Sequence, residues 1–239
     1  MILIPAIDIK DGKVVRLVQG KFAEVTEYGH DPVAMAQKWQ KLGSSWLHVV
    51  DLDGAKTGTM QNQEIIARMA QSIDIPIEVG GGIRDEQTVE YLFSKTKVAR
   101  VILGTKAIES RNFLKKMLAA FGDRIGVSLD CSNGLVAQRG WVSTTNIQAV
   151  DLAKELEHLG LQWMVYTDIA RDGTLAGPNF EQLQVMASTV KKIKLIASGG
   201  IGTLDDVKKL ASMKTIAAAI TGKAIYEGKL DFKEALKVC

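Results

Sequence analysis

The amino-acid sequence predicts an α/β fold, a (β/α)8 TIM barrel built from two half-barrel repeats. Short apolar segments typical of buried strands alternate with segments that show helical periodicity. Eight such pairs fit into 239 residues, a common length for this barrel. Landmarks of the first half also return in the second. We therefore expect one domain over residues 1–239, with half-barrels at roughly 1–122 and 123–239.

The repeat is marked by glycines and aspartates that follow predicted strands. Four pairs recur at about half the chain length: Gly81 and Gly199 (199 − 81 = 118), Gly104 and Gly222 (222 − 104 = 118), Asp51 and Asp168 (168 − 51 = 117), and Asp8 and Asp130 (130 − 8 = 122). Similar landmarks at one long period indicate an internal repeat. An open doubly wound sheet is the main alternative fold, but a repeat of four units closes naturally into a ring.

Each element is predicted from its local pattern. Strands are placed where short, mainly apolar runs lie between turn signals: at 1–7, 46–50, 75–79, 99–103, 125–129, 163–167, 194–197 and 215–220, with a hairpin partner of the first at 14–18. Helices are placed where apolar residues recur every three or four positions: at 31–41, 62–71, 85–93, 110–121, 147–159, 179–189, 204–211 and 232–238. Pro32 suits the first turn of the first helix.

Composition excludes several classes of protein. The chain has 30 basic and 27 acidic residues without a basic block, so we expect no nucleic-acid partner. Its two cysteines offer neither a disulfide framework nor a metal-binding pattern. The first apolar run meets Asp8 and Lys10 too early for a signal peptide, and no apolar stretch is long enough to cross a membrane. We expect a cytoplasmic protein, a monomer, in which no residue spacing suggests a bound metal.

Polar residues follow the predicted strands, where a barrel of this kind has its active site. They are Asp8, His48, Asp51, Gly80 to Arg84, Gly104, Thr105, Asp130, Thr167, Asp168, Ser198 to Gly200, Gly222 and Lys223. Because the carboxyl ends of all eight strands meet at one rim, these side chains are predicted to surround a common mouth.

Two groups of glycines at this rim predict two sites for anions. Backbone N–H groups of a glycine run between a strand and a helix bind phosphate well. The first anion site comprises Gly80, Gly81, Gly82, Gly104 and Thr105, and Arg84 beside it is a further substrate-binding candidate. The second anion site comprises Ser198, Gly199, Gly200, Thr221, Gly222 and Lys223. The alternative is that these glycines only form tight turns. Two equivalent groups favour a small-molecule substrate with a phosphate at each end.

Asp8 and Asp130 are equivalent in the repeat and therefore face each other across the predicted mouth. Two acids on opposite sides of a substrate suit proton removal on one face and proton donation on the other. One of them then has to stay protonated near neutral pH, which burial or a nearby charge can arrange. The alternative is that each aspartate caps the loop that follows it.

Other polar residues near the mouth are candidates for binding. His48 is suited to orienting a substrate oxygen, with a buried structural histidine as the alternative, and Thr167 is a hydrogen-bond partner on the Asp130 side. Arg139 next to Trp141 can cover a planar or anionic group, unless it anchors its loop. Asp168 and Gly173 are included as binding candidates, although Asp51 and Asp168 are interpreted mainly as fixing the loops at 54–56 and 171–173.

Together these residues resemble the ProFAR isomerases of histidine biosynthesis over essentially the whole chain. The segments that carry the resemblance are 4–8 (IPAID), 11–17 (DGKVVRL), 48–55 (HVVDLDGA), 80–84 (GGGIR) and 167–174 (TDIARDGT). The resemblance implies an Amadori rearrangement of an aminoaldose to an aminoketose on a substrate with two phosphoribosyl groups, without a cofactor.

The resemblance also implies roles for individual residues. Asp8 takes the C2 proton and Asp130 protonates the ring oxygen. Thr167 and His48 assist them. The substrate is held in part by Arg16, Arg139 and Trp141.

Three other functions are weighed against this one. The sister cyclase of the same pathway usually has Lys, His and Ser where this chain has Arg16, Arg84 and Asp168, which argues against it. A bifunctional isomerase that also accepts phosphoribosylanthranilate remains open, because residues such as Arg139 and Trp141 occur there too. A non-catalytic bisphosphate-binding barrel would explain the glycines but not two opposed acids.

Overall fold

A closed ring of parallel strands forms the centre of the structure, a computed structural model that describes residues 1–21, 24–138, 141 and 143–239. The described strands are β1 (Ile2–Lys10), β2 (Lys13–Leu17), β3 (Val25–Gly29), β4 (Leu47–Asp51), β5 (Ile77–Gly80), β6 (Val98–Leu103), β7 (Ile125–Ser132), β8 (Leu135–Gln138), β9 (Ser143–Gln148), β10 (Trp163–Asp168), β11 (Lys194–Ser198) and β12 (Ile216–Thr221). The parallel order β1-β4-β5-β6-β7-β10-β11-β12 closes by pairing of β12 with β1, which confirms the (β/α)8 barrel.

Helices follow the barrel strands on the outside. In the described residues they are α1 (Pro32–Lys41), α2 (Leu52–Thr57), α3 (Gln63–Ser72), α4 (Glu86–Lys95), α5 (Thr105–Glu109), α6 (Arg111–Phe121), α7 (Ala149–His158), α8 (Phe180–Thr189), α9 (Leu204–Ser212), α10 (Lys223–Tyr226) and α11 (Phe232–Leu236). Their starts have local causes: Asp31 accepts hydrogen bonds from the first turn of α1, and Thr203 with Asp206 forms a capping box at α9.

The strands that carry the two central aspartates are longer than expected. We expected strands to end at Asp8 and Asp130, but β1 runs to Lys10 and β7 to Ser132. Each continues because it forms an antiparallel hairpin beyond the barrel, β1 with β2 and β7 with β8. The hairpin strand β9 also displaces the expected start of a helix at residue 147, so that α7 begins at Ala149.

The period of two along each strand decides which residues enter the barrel. On β1 the buried Ile4 and Ala6 lie in the interior cluster, whereas Leu3 and Ile7 belong to the layer between strands and helices. Asp8 has the same parity as Ile4 and Ala6, so its side chain enters the barrel above an apolar layer. That layer consists of Ile4, Ala6, Ile102, Val165, Ile196, Ala218 and Ile220, with Ile2, Trp46 and Trp163 packed against it.

A cation closes the lower end of the barrel. The Arg100 guanidinium lies 3.7 Å from the ring centre of Trp163 and 4.5 Å from that of Trp46. Its side chain is buried. Contact with two indole rings stabilises a guanidinium away from water. The interior therefore has an aromatic floor, an apolar middle and a polar upper end.

Candidate active site

The upper end of the barrel opens into a cavity of about 1320 Å³. Twelve residues predicted from the sequence line it together: Asp8, Arg16, His48, Gly81, Gly82, Arg84, Gly104, Thr105, Asp130, Trp141, Thr167 and Ser198. Asp8 and Asp130 thus share one cavity with the whole first anion site.

A smaller cavity of about 300 Å³ adjoins the first. It is lined by the rest of the second anion site and by Gly173: Gly173, Ser198, Gly199, Gly200, Thr221, Gly222 and Lys223. Arg16, Asp172 and Ser198 line both cavities. The Thr221 hydroxyl is buried and has no hydrogen-bond partner in the described structure. A buried hydroxyl in this state is a ready donor for a bound ligand.

Asp8 forms an ion pair in the cavity with Arg16, whose Nη1 lies 2.9 Å from its Oδ1. Both side chains are mostly buried, with 14% and 10% of their surface exposed. Burial raises the pKa of Asp8, while the positive charge of Arg16 and the nearby His48 ring act in the opposite direction. Asp8 is therefore a carboxylate with little solvation, held by one cation, which suits a general base.

Asp130 is placed by its neighbours on β7 and β10. Its Oδ1 accepts a hydrogen bond from the Ser128 hydroxyl at 2.7 Å. The buried Thr167 lies directly opposite it in the parallel register of β7 and β10. All three residues line the main cavity. Asp130 and Thr167 are therefore adjacent, as the resemblance implied for residues acting together.

A third carboxyl in the cavity, that of Asp172, was not predicted from the sequence. Its loop folds back over the barrel: Asp172 N–H donates to the Asp168 carbonyl, and the Asp172 carbonyl accepts from Gln19. Burial raises the pKa of Asp172 to about 6, opposed by Arg16 and supported by the negative charges of Asp8 and Asp130. No sequence pattern indicates that a loop residue turns back in this way. A pKa of about 6 lets a fraction of the Asp172 carboxyls carry a proton near neutral pH.

Replacing Asp172 by Asn should change how stability depends on pH. The native protein holds this proton up to about pH 6, whereas the unfolded chain releases it near 3.8. The free energy of unfolding of the wild type therefore falls as pH rises across this interval. The amide side chain of the variant does not titrate, so the variant does not lose stability in this way. Its free energy of unfolding relative to the wild type should therefore rise by on the order of 2 kcal/mol from about pH 4 to pH 7. Urea unfolding at both pH values measures the difference.

The matched control for this variant is Asp74→Asn, which alters an exposed carboxyl. Its stability difference from the wild type should be nearly the same at both pH values. An Asp172→Asn difference that is equally independent of pH would show that the native state does not hold the proton.

Two buried side chains that the sequence analysis also missed support His48. His48 Nδ1 lies 2.8 Å from Glu78 Oε1, and Arg100 Nη1 donates to Glu78 Oε2 at 2.8 Å. The carboxylate is fully buried. The alternation of side chains along a strand could have predicted this. Glu78 lies two residues before Gly80 on β5, and Arg100 lies two residues before Ile102 on β6, so both side chains point into the barrel. His48 is thus one end of a buried polar chain.

Close backbone packing explains several glycines of the anion sites. A Cβ on Gly81 would lie 2.2 Å from the Asp51 carbonyl oxygen, and one on Gly199 would lie 2.8 Å from that of Asp168. Both glycines have positive φ, +98° and +93°. The two positions are equivalent in the repeat, so the same tight turn supports both sites. Only glycine allows this approach without strain.

Asp51 and Asp168 fix the loops beside these turns. The Asp51 carboxylate accepts hydrogen bonds from the N–H groups of Gly54, Gln61 and Asn62. Asp168 accepts one from the Asn179 amide at 2.7 Å, and it lines neither cavity. This geometry supports the loop-fixing interpretation of Asp168 rather than direct contact with a substrate.

Arg139 and Trp141 were predicted together on one loop. Arg139 lies outside the described residues. Trp141 lines the main cavity, and its indole covers Gly20, where an added Cβ would lie 2.2 Å from Cε3. The segment around Gly20 also contacts the Asp172 loop through Gln19. The Trp141 side chain therefore lies at the rim of the cavity, where the segment around Gly20 contacts the Asp172 loop.

The chain is similar to known proteins over nearly its whole length. The model of a family described as histidine biosynthesis protein matches residues 2–231. The chain belongs to this family. A relative in the histidine biosynthesis protein family from Acetivibrio thermocellus is 47% identical over 238 residues, covering 100% of this chain and 99% of the relative. One from Brevibacillus brevis is 50% identical over 239 residues, covering 99% and 95%.

Both relatives carry the same name, 1-(5-phosphoribosyl)-5-((5-phosphoribosylamino)methylideneamino) imidazole-4-carboxamide isomerase. A third relative with this name, from Thermoanaerobacter pseudethanolicus, is 47% identical over 238 residues and covers 100% of this chain. Among the described residues, no three His, Cys, Asp or Glu side chains are arranged so that they could hold a metal ion. The same residues form no helix long and apolar enough to cross a membrane.

Proposed function

We propose that this chain is an isomerase that converts the aminoaldose ProFAR, the substrate in its relatives' name, into the corresponding aminoketose in histidine biosynthesis. The proposal rests on one observation above all: Asp8 and Asp130 line the same cavity, as the repeat and the resemblance require. Relatives at 47–50% identity over the full chain carry this activity in their name.

The rearrangement needs an acid first and a base second. The acid protonates the ring oxygen of the aminoaldose, and the furanose opens as the lone pair of the nitrogen forms a protonated imine at C1. Asp8 then takes the proton from C2, and the electrons of the C–H bond form the enaminol that tautomerises to the aminoketose. Because burial raises the pKa of Asp8, its carboxylate is a stronger base than an exposed one. Arg16 keeps that carboxylate charged and oriented.

Two carboxyls compete for the role of acid. Asp130 is the acid that the resemblance implies, and it lines the cavity with Thr167 beside it. Asp172 has a pKa raised to about 6, so a useful fraction remains protonated near neutral pH. The raised pKa supports Asp172 as the donor, while the repeat and the resemblance support Asp130. Either carboxyl lies with Asp8 around one substrate.

The substrate is a small phosphorylated molecule, and we propose that it is held at both ends. Arg84 beside the first anion site supplies a guanidinium, and the second anion site supplies Lys223 and the unpaired Thr221 hydroxyl. Two phosphates at opposite sides of the mouth would place the reacting carbons between Asp8 and the acid. All these groups come from one chain, so we propose that a cytoplasmic monomer is sufficient.

A two-substrate assay tests the function. We expect purified protein to isomerise ProFAR without added cofactor, followed by the change in ultraviolet absorbance and by chromatography of the product. Phosphoribosylanthranilate is assayed in parallel, because turnover of both compounds would identify the bifunctional isomerase. A protein that turns over neither compound would contradict the enzymatic assignment.

A further inference from the structure

A buried polar chain runs from the cavity toward the floor of the barrel. His48 lines the cavity, and its Nδ1 lies 2.8 Å from Glu78 Oε1. The other carboxylate oxygen of Glu78 accepts from Arg100 Nη1 at 2.8 Å. Glu78 has no exposed surface, and Arg100 is 5% exposed. Nothing in the proposed reaction requires Glu78 or Arg100 to touch the substrate.

The chemistry of the chain fixes which atoms carry hydrogen. A guanidinium can only donate hydrogen bonds, and this one is held between Trp46 and Trp163. Glu78 therefore presents an acceptor oxygen to each neighbour. Opposite Oε1, the His48 ring has to place a hydrogen on Nδ1. The partner of one ring nitrogen decides the state of the other, so Nε2 is left for the substrate.

We propose that Glu78 is a positioning residue that holds the His48 ring with its hydrogen on Nδ1 and Nε2 available as an acceptor in the cavity. Its effect on turnover depends on the proposed function, whereas its effect on the ring does not. Arg100 completes the arrangement by holding the second oxygen of Glu78. The pairing of the carboxylate with both neighbours also explains how it is tolerated without any solvent contact.

The Glu78→Gln variant tests this directly, because it keeps the shape of the side chain. Arg100 can only donate, so the amide oxygen of the introduced glutamine should face Arg100 and its NH₂ group should face His48. Nδ1 then has to accept, and the ring hydrogen moves to Nε2. The chain has three histidines, and His30 and His158 are exposed, so nitrogen NMR of the ring can identify His48 and its tautomer.

We expect Glu78→Gln to reverse the His48 tautomer and to lower kcat on ProFAR at least about tenfold, with little change in KM. A second variant, Glu78→Gln combined with Arg100→Met, frees the amide to turn its oxygen toward His48. It should restore the hydrogen on Nδ1 and recover part of kcat. A purely structural role for Glu78 would not predict that removing a second buried partner improves turnover.

Glu155→Gln is the matched control, because it neutralises a glutamate that pairs with Arg111 on the outside of the barrel. It should leave both the His48 signals and kcat unchanged. Hydrogen remaining on Nδ1 in Glu78→Gln would overturn the proposal, and so would a reversed tautomer with unchanged kcat. Failure of the proposed function is separate: the wild type would then be inactive on ProFAR, while the NMR comparison still tests the position of the ring.

Discussion

The Asp8→Asn variant is expected to bind ProFAR and to lose nearly all turnover. Asn keeps the shape of the side chain and can still accept a hydrogen bond from Arg16, but it cannot take the C2 proton. Loss of a general base costs roughly 10²–10⁴-fold in rate, and we expect a fall in kcat of about 10³-fold. Isothermal titration with ProFAR measures binding on the slow variant, and a direct assay measures turnover.

Asp11→Asn is a suitable control for this variant. Asp11 lies at the turn after β1, and its side chain is 72% exposed. Its positive φ of 49° is tolerated by Asn. This control should keep kcat close to wild type. If Asp8→Asn retained full turnover, Asp8 would not be the base. The non-catalytic binder would instead predict an Asp8→Asn protein with intact binding and a wild type without turnover.

The Gly81→Ala variant is expected to be severely destabilised. An added Cβ would lie 2.2 Å from the carbonyl oxygen of Asp51 and 2.8 Å from its carbonyl carbon. Both atoms belong to the backbone at the end of a barrel strand, so they cannot move aside as a flexible side chain would. The φ of +98° adds further strain. We expect a loss of more than about 4 kcal/mol in the free energy of unfolding, measured by urea denaturation.

Gly160→Ala separates the clash from the backbone strain. Gly160 has a similar φ of +90°, but apart from its chain neighbours no heavy atom of the described residues lies within 4 Å of the position of its Cβ. This control should lose only about 1–2 kcal/mol, the cost of a positive φ for alanine. Equal losses in the two variants would mean that the Asp51 turn relaxes around the added methyl group.

The barrel was predictable from the sequence because its strands are buried on both faces. Short, mainly apolar runs such as Leu47–Asp51 and Lys194–Ser198 therefore stand out from the helices between them. The hairpin strand Ser143–Gln148 is mostly polar and gives no such signal. Short helices such as Lys223–Tyr226 contain too few residues to show a helical period.

The site was only partly predictable, and the reason differs between residues. Asp8 and Asp130 were found because strand position and the repeat both place them at the rim. Glu78 was missed because it lies within an apolar strand. Its pairing with charged or polar neighbours can be recognised only when the inward-facing positions of adjacent strands are compared. The position of Asp172 is set by a loop that folds back over the cavity and is held by contacts with residues distant in sequence. No local sequence pattern predicts such contacts.

The aromatic and apolar lower part of the barrel has a consequence for the order of events in turnover. Trp46, Trp163 and the enclosed Arg100 fill the axis beneath the reacting groups. Substrate arrival and product departure therefore use the same opening at the upper end. One molecule has to leave before the next can enter, so the rate at which the surrounding loops release the aminoketose sets an upper limit on the catalytic cycle.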